Sequence, residues 1–211
     1  MHTKIWDNFT RIYHMSQLIL LALLWYSGEQ GDFDNHFIYG YLLLSLLIAR
    51  ISWGIFGSET SKFSHFLKSP IAVWHWLKKV HTPVAGHNPV AGYMVVALII
   101  LLSIQLFSGL FATDDVLAEG PLLYYVSDDL AESLDSLHRR NFDWLLALIA
   151  LHAIAAFLHS FKADNVVRTI LTGKSKELPP TAIQFKSSLI PLAIWFCMFG
   201  LFAYLWLGDT L

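Results

Sequence analysis

Two histidines fourteen residues apart, His138 and His152, stand in the fourth of five apolar segments, and His14 and His36 stand at matching depths in the first two. Fourteen helical steps of about 100° leave two side chains only about 40° apart around the axis and about 21 Å apart along it. One helix therefore offers two inward imidazoles near opposite ends of a membrane-length bundle. Imidazole is a strong ligand for iron, copper and zinc, and two depths with two histidines each suit a pair of stacked haems. A lone histidine in an apolar helix is ordinarily a packing residue; four that pair by depth call for a shared purpose, because ionisable groups inside hydrocarbon are costly.

The elements that position these residues are membrane-length helices. A chain of 211 residues with 55% hydrophobic and only 14% charged content is too apolar for an ordinary soluble domain. Runs long enough for about 30 Å of hydrocarbon, roughly 20 helical residues, lie near 10–28, 36–56, 89–112, 138–161 and 187–207. The expected fold is all-α, a single membrane domain over 1–211 with five transmembrane helices, a four-helix haem-binding core over about 8–175 and a fifth helix at about 187–207. No internal repeat or low-complexity tract is visible. The start of the chain superficially resembles a signal peptide but lacks a small-x-small cleavage site after Trp25 and Tyr26, and reads as a retained helix.

Charge orients the bundle. Of 14 Lys and Arg, all but Arg139 and Arg140 fall in the N-terminus, the 50–88 loop and the 162–186 loop. The positive-inside rule then puts the N-terminus in the cytoplasm and the C-terminus, after five spans, on the opposite, periplasmic side. The opposite face is acidic, with Glu29, Asp32, Asp34, Asp114, Asp115, Glu119 and four more between Asp128 and Asp135. That suits a basic soluble partner, or it reflects only the avoidance of Lys and Arg in exported loops. A net charge of −2 without a basic block gives nucleic acid no foothold. The 62–86 segment, with Phe63, Phe66, Trp74 and Trp76 among Lys68, Lys78 and Lys79, is expected along the interface, broken by Pro70 and Pro83. The 113–137 segment is expected to fold over the acidic end.

In this topology His36 and His138 begin their helices at the periplasmic level, and His14 meets His152 in the cytoplasmic half. His159, about 20° and about 10.5 Å beyond His152, competes with it as a ligand or serves a propionate, a quinone or water. His2, His65, His75 and His81 lie in polar or interfacial segments and read as surface residues. Cys197 is the single cysteine, so no intrachain disulfide or Cys-x-x-Cys-His attachment exists, and a haem here is of b type.

The run His138, Leu151, His152, Ala153, Ala155, His159 resembles the fourth helix of the bacterial cytochrome b561 family, which includes the cytochrome b subunits of nickel-iron hydrogenases. His36-Phe-Ile-Tyr-Gly40 followed by Arg50, and Arg11-Ile-Tyr-His14, are similar to its first two helices. Gly86-His87-Asn88-Pro89 leading to Gly109 looks like its third-helix entry. The resemblance spans roughly 8–175 and implies that His14, His36, His138 and His152 ligate two b haems. The fifth helix is like that of the hydrogenase-anchoring branch.

Bis-histidine ligation leaves no open iron position, so the chemistry expected is outer-sphere electron transfer. Propionates would find cations at Arg139, Arg140, Arg11 or Arg50, unless these charges only set topology. Gly40, one turn beyond His36, is expected to let a haem approach the backbone, whereas Gly54, Gly92 and Gly109 equally suit close helix packing. Quinone exchange is expected at His87, Asn88 and His159; a related formate-dehydrogenase membrane subunit is similar in carrying an asparagine turn at its quinone site, although such a turn is also an ordinary N-cap. The soluble partner is a c-type cytochrome or a hydrogenase small subunit. The competing classes are a redox-inactive anchor and a proton or metal transporter. A transporter should carry midplane carboxylates, but Asp143 lies near an end and the helix interiors hold only uncharged polar residues such as Gln105 and Ser103.

Overall fold

A computed structural model describes residues 2–78, 84–114, 118–162, 165–176 and 182–207; Lys79, His81, Pro83 and Asp115, named above, lie outside them. The described chain is all-α apart from a two-residue strand pair. Its elements are β1 (Thr3–Lys4), α1 (Asn8–Gln30), α2 (Phe33–Phe56), α3 (Phe63–Phe66), α4 (Pro70–Leu77), α5 (Pro89–Gly109), α6 (Asp128–Lys162), α7 (Val166–Thr172), β2 (Lys174–Ser175) and α8 (Leu189–Trp206).

Four of these helices, α2, α5, α6 and α8, are long and apolar enough to cross a membrane. The fifth expected span, α1, has the length, 23 residues or about 34 Å, but Thr10, Arg11, His14, Ser16 and Gln17 dilute its apolar character. α6 begins ten residues before His138, so that histidine lies nearly three turns inside its helix rather than at the start. Hydropathy marks where a helix can meet lipid, and the acidic 128–137 stretch is polar yet helix-forming. At 35 residues α6 is about 52 Å long, longer than a bilayer core. Pro70 does not merely interrupt the interfacial segment. It occupies the first turn of α4, where its missing N–H costs nothing. α4 turns Ile71, Trp74 and Leu77 outward, as an interfacial helix would.

Two helical hairpins make the bundle. α1 closes onto α2 through Gly31 at φ 68°, the left-handed cap a glycine adopts without strain. α5 returns through the 110–127 segment to α6, with Gly120 and Leu122 donating to Ala112 and Leu110 carbonyls at 2.8 and 2.9 Å, and Leu122 and Val126 of that segment pack on the cluster of Tyr41, Leu110, Phe111 and Phe202. Phe9, Leu20, Leu43, Leu46, Leu102, Leu106 and Leu145 bring α1, α2, α5 and α6 into one core. α8 lies against α2 on the outside, where Trp195 Nε1 donates to the Leu42 carbonyl at 3.1 Å. The backbone of α6 packs against α5 and stands off from α1 and α2.

The end that carries the N-terminus is pinned by a buried polar network. Asp7 caps α1, accepting from the Thr10 N–H at 2.8 Å, and its other oxygen accepts from Trp53 Nε1 at 3.0 Å and Ser61 Oγ at 2.7 Å. Burial alone would raise the Asp7 carboxyl, but hydrogen bonds from Thr10, Trp53, Ser61 and Ser58 outweigh it and hold the group below its ordinary value. Arg50, also buried, donates to the Ser61 carbonyl at 3.3 Å and lies over the Tyr13 and Phe63 rings. Ile5 and Trp6 donate to the Gly173 carbonyl, which ties the segment after α6 to the same knot.

Asp7→Ala strands the Trp53 and Ser61 donors and should cost about 3 kcal/mol, read as a lowered thermal midpoint in detergent. Because the folded carboxyl is depressed, its stabilisation is complete above the unfolded value near pH 4 and fades as pH falls through the lower folded value. The gap between wild type and variant should therefore narrow below about pH 4; a gap independent of pH would contradict the ionised cap.

Candidate functional site

The topology brings the four histidines together in two pairs. On the α1–α6 side, the His14 and His152 rings face each other with centroids 6.5 Å apart and an interplanar angle of 50°. A direct N–H···N bond at about 3 Å would draw the centroids to about 5.2 Å. Two imidazoles on opposite sides of one metal, each at about 2.0–2.1 Å, would hold them about 6.3 Å apart. The observed spacing suits the second arrangement. His14 Nδ1 is enclosed without a hydrogen-bond partner, whereas His159 is exposed. Geometry thus joins His14 to His152 and leaves His159 outside the pair.

At the opposite end, His36 on α2 and His138 on α6 lie within electrostatic reach of each other. Their rings are fixed from behind. His36 Nδ1 is 3.0 Å from the Leu24 carbonyl and 3.2 Å from Ser27 Oγ. His138 Nδ1 is 2.9 Å from the Gln105 carbonyl and 3.4 Å from Ser108 Oγ. A carbonyl can only accept, so each Nδ1 carries the proton and each Nε2 keeps its lone pair. The Gln105 amide nitrogen lies 3.2 Å from His138 Nε2, and its oxygen accepts from Asn141 Nδ2 at 2.7 Å.

Among the described residues no group of three or more His, Cys, Asp or Glu converges on a metal-sized space. Sites of two imidazoles do not complete the coordination of zinc or copper. They do complete that of an iron whose four remaining ligands come from a tetrapyrrole. Gly40 has no atom within 4 Å of the position of a Cβ, so the backbone one turn past His36 is approachable, as expected of a flat cofactor's neighbour. The donor set and the spacing therefore fit haem. The other glycines divide: Gly54 and Gly92 admit Phe63 and Phe66 of α3, while Gly109 admits His138 itself, whose Cε1 lies 2.8 Å from where a Cβ would be.

The remaining expected site residues are placed as follows. Arg139 is exposed and binds Asp135 at 2.7 Å and the Thr113 carbonyl at 3.1 Å, which anchors the 113–120 segment to α6. Arg11 donates to the Leu171 carbonyl. Asn88 caps α5, its Oδ1 accepting from the Ala91 N–H at 2.8 Å. His87 packs between the Trp6 and Phe66 rings, centroids 4.8 and 4.9 Å away, with its Nδ1 enclosed and partnerless. Its electrostatic surroundings are Arg50, His152 and His14, so it belongs to the N-terminal end with that pair. Burial, reinforced by Arg50, pushes its ring down to about 3. His65, expected at the surface, is half-buried and bonds the Ala85 carbonyl through Nε2.

Sequence reasoning did not find Ser27, Ser108 or Asn141, and it met Gln105 only as an uncharged residue arguing against a transporter. The signal available was the presence of polar side chains, Ser27, Gln105 and Ser108 near helix ends and Asn141 within α6, that nothing else required.

A model of the prokaryotic cytochrome b561 family matches residues 5–173 of the chain. No curated protein and no solved structure matches it.

Between about pH 6.5 and pH 3 the unfolded chain binds a proton at His87 that the folded chain refuses, so acid should erode stability by up to about 1.4 kcal/mol per pH unit. His87→Phe keeps the stack with Trp6 and Phe66 and removes that component. Denaturation in detergent at pH 7, 5.5 and 4 should show a shallower decline for the variant; equal slopes would mean that the ring is not buried neutral.

Proposed function

Because the chain belongs to the prokaryotic cytochrome b561 family of membrane b-type electron-transfer proteins, we propose that it is a di-haem cytochrome b relaying electrons between the quinone pool and a periplasmic redox partner. The observation that carries this reading is the pairing of four histidines at two levels, with His14 and His152 at the spacing of a shared metal. Haem b bound at these sites would supply a reversible one-electron couple. His36 and His138 would hold one group through Nε2, the nitrogen opposite their Nδ1 tethers, and His14 and His152 would hold the other.

α1 then counts as the fifth span, its polar residues turned toward the bundle rather than lipid. Twelve of 14 Lys and Arg at the N-terminal end favour a cytoplasmic N-terminus in a bacterial inner membrane, with His36 and His138 on the periplasmic side. The acidic loops around that pair suit a basic rim on a c-type cytochrome or a hydrogenase small subunit. Arg50, buried near the His14 and His152 level, is a candidate cation for a propionate there if its bond to the Ser61 carbonyl is exchanged for it.

A quinone carries protons as well as electrons, so its site needs a polar group beside the inner pair. His87 meets that need: its enclosed Nδ1 has no partner among the described residues, and a neutral imidazole can give or take one hydrogen bond to a quinone oxygen. Asn88 and the exposed His159 flank the same end.

The purified protein should show two haems per chain by pyridine haemochrome assay, and a colourless protein made with full haem supply would end the proposal. His36→Ala and His138→Ala should abolish the same haem, and His14→Ala and His152→Ala the other. His87→Phe should slow reduction by a quinol analogue about tenfold, about 1.4 kcal/mol in the barrier, while dithionite reduction is unchanged; an unchanged quinol rate would remove His87 from the exchange site.

A further inference from the structure

The two histidines at the far end are held in the same way by two different helices. On α1, Leu24 offers its carbonyl, Ser27 three residues later its hydroxyl, and Gly28 the next position. On α5, Gln105 offers its carbonyl, Ser108 three residues later its hydroxyl, and Gly109 the next position. His36 Nδ1 meets the first set at 3.0 and 3.2 Å, and His138 Nδ1 meets the second at 2.9 and 3.4 Å. Each serine Oγ also lies 3.2 Å from the carbonyl that its histidine uses, and the Ser108 hydroxyl is bonded to the Ile104 carbonyl as well, at 2.7 Å. Each glycine is the residue whose side chain would cover that carbonyl. A Cβ at Gly28 would stand 3.3 Å from His36 Cε1, and one at Gly109 2.8 Å from His138 Cε1.

We propose that Leu24-Trp-Tyr-Ser-Gly28 and Gln105-Leu-Phe-Ser-Gly109 are two copies of one imidazole socket, whose serines act as positioning residues that bias the far-end iron toward its ferric form. This rests on the di-haem reading. The physical basis is the shape of a helix surface. In a helix the N–H of residue i+4 already takes one lone pair of carbonyl i, and the side chain of residue i+4 shields the other. Glycine at i+4 uncovers that second lone pair, and serine at i+3 adds an acceptor beside it. An imidazole seated there is locked in rotation and tautomer, and donation from Nδ1 raises the basicity of Nε2. A more basic axial nitrogen stabilises the higher oxidation state. Hydrogen bonding around the ligands is one of the protein's means of setting a haem potential.

The inner pair is built differently. His14 Nδ1 is enclosed without a partner, so its ring gains no such donation. The socket therefore acts on one haem only.

The test is a potentiometric titration of the full-length protein in detergent, following each haem by its own optical band, with haem content counted on the same samples. Ser27→Ala and Ser108→Ala each delete one oxygen atom. Each should raise the ferrous-to-ferric ratio of the same haem about threefold at fixed potential, an upward shift of about 28 mV at 59 mV per tenfold. The haem affected is the one missing from His36→Ala, and the double variant should approach ninefold. Ser103→Ala, which removes a hydroxyl bonded only to the Ile99 carbonyl, should shift neither haem. If either serine variant loses a haem outright, loss of this same haem also supports the socket. Unmoved potentials, a shift of the other haem, or an equal shift from Ser103→Ala would overturn it. Wild-type protein with fewer than two haems would instead overturn the di-haem reading, so the two failures are distinguishable.

Discussion

A histidine ring inside hydrocarbon has two polar nitrogens and no water to satisfy them, and most of this architecture answers that constraint. For His36 and His138 the Nδ1 problem is solved by carbonyls of the neighbouring helix at 3.0 and 2.9 Å. Solving it that way demands that α1 come close to α2, and α5 close to α6. The small residues at the α1 and α5 ends and the left-handed turn at Gly31 allow that approach. The second nitrogen of His138 lies 3.2 Å from the Gln105 amide, and His14 Nδ1 is buried without a partner among the described residues. A buried imidazole nitrogen left unsatisfied costs on the order of 1–3 kcal/mol, and a metal is a partner of the right kind.

The two ends of the bundle are consequently built on different principles. At the far end, helix termini grip the ligand rings directly. At the N-terminal end His14 Nδ1 has no partner among the described residues, and the surrounding backbone is held by the network of Asp7, Trp53, Ser61 and Arg50. An end that tethers its histidine rings and an end that leaves buried imidazole nitrogens uncommitted suit the proposed division of labour. Electron exchange with a docked protein needs a cofactor in fixed orientation, whereas quinone exchange needs polar groups such as His87 that are not already committed.

Legibility differed residue by residue, for physical reasons. The four ligand candidates were readable because helical pitch is fixed, so spacing along the chain translates into depth and azimuth. His152 and His159 were not separable that way: both lie on one face, and only the level at which α1 presents His14 decides between them. The start of α6 was misjudged because apolar content stops at the membrane surface while the helix continues. The roles of Arg139 and Asn88 were likewise undecided, since an arginine can serve a propionate or a carbonyl, and an asparagine a ligand or a helix cap. In each case the partner comes from a distant part of the chain or from the start of the next helix.

Composition, charge placement and histidine spacing by themselves determined an all-α membrane bundle with paired imidazoles, because hydrophobicity, charge asymmetry and helical period are local properties summed along the chain. Only the tertiary structure decided which nitrogen of each far-end ring is available and which histidine meets His14. It alone revealed that Ser27-Gly28 and Ser108-Gly109 do the same task. Those outcomes depend on which helix surfaces meet and at what level, and a carbonyl's second lone pair, shared by every helical residue, becomes a specific tether only where a neighbouring ring is brought within 3 Å of it.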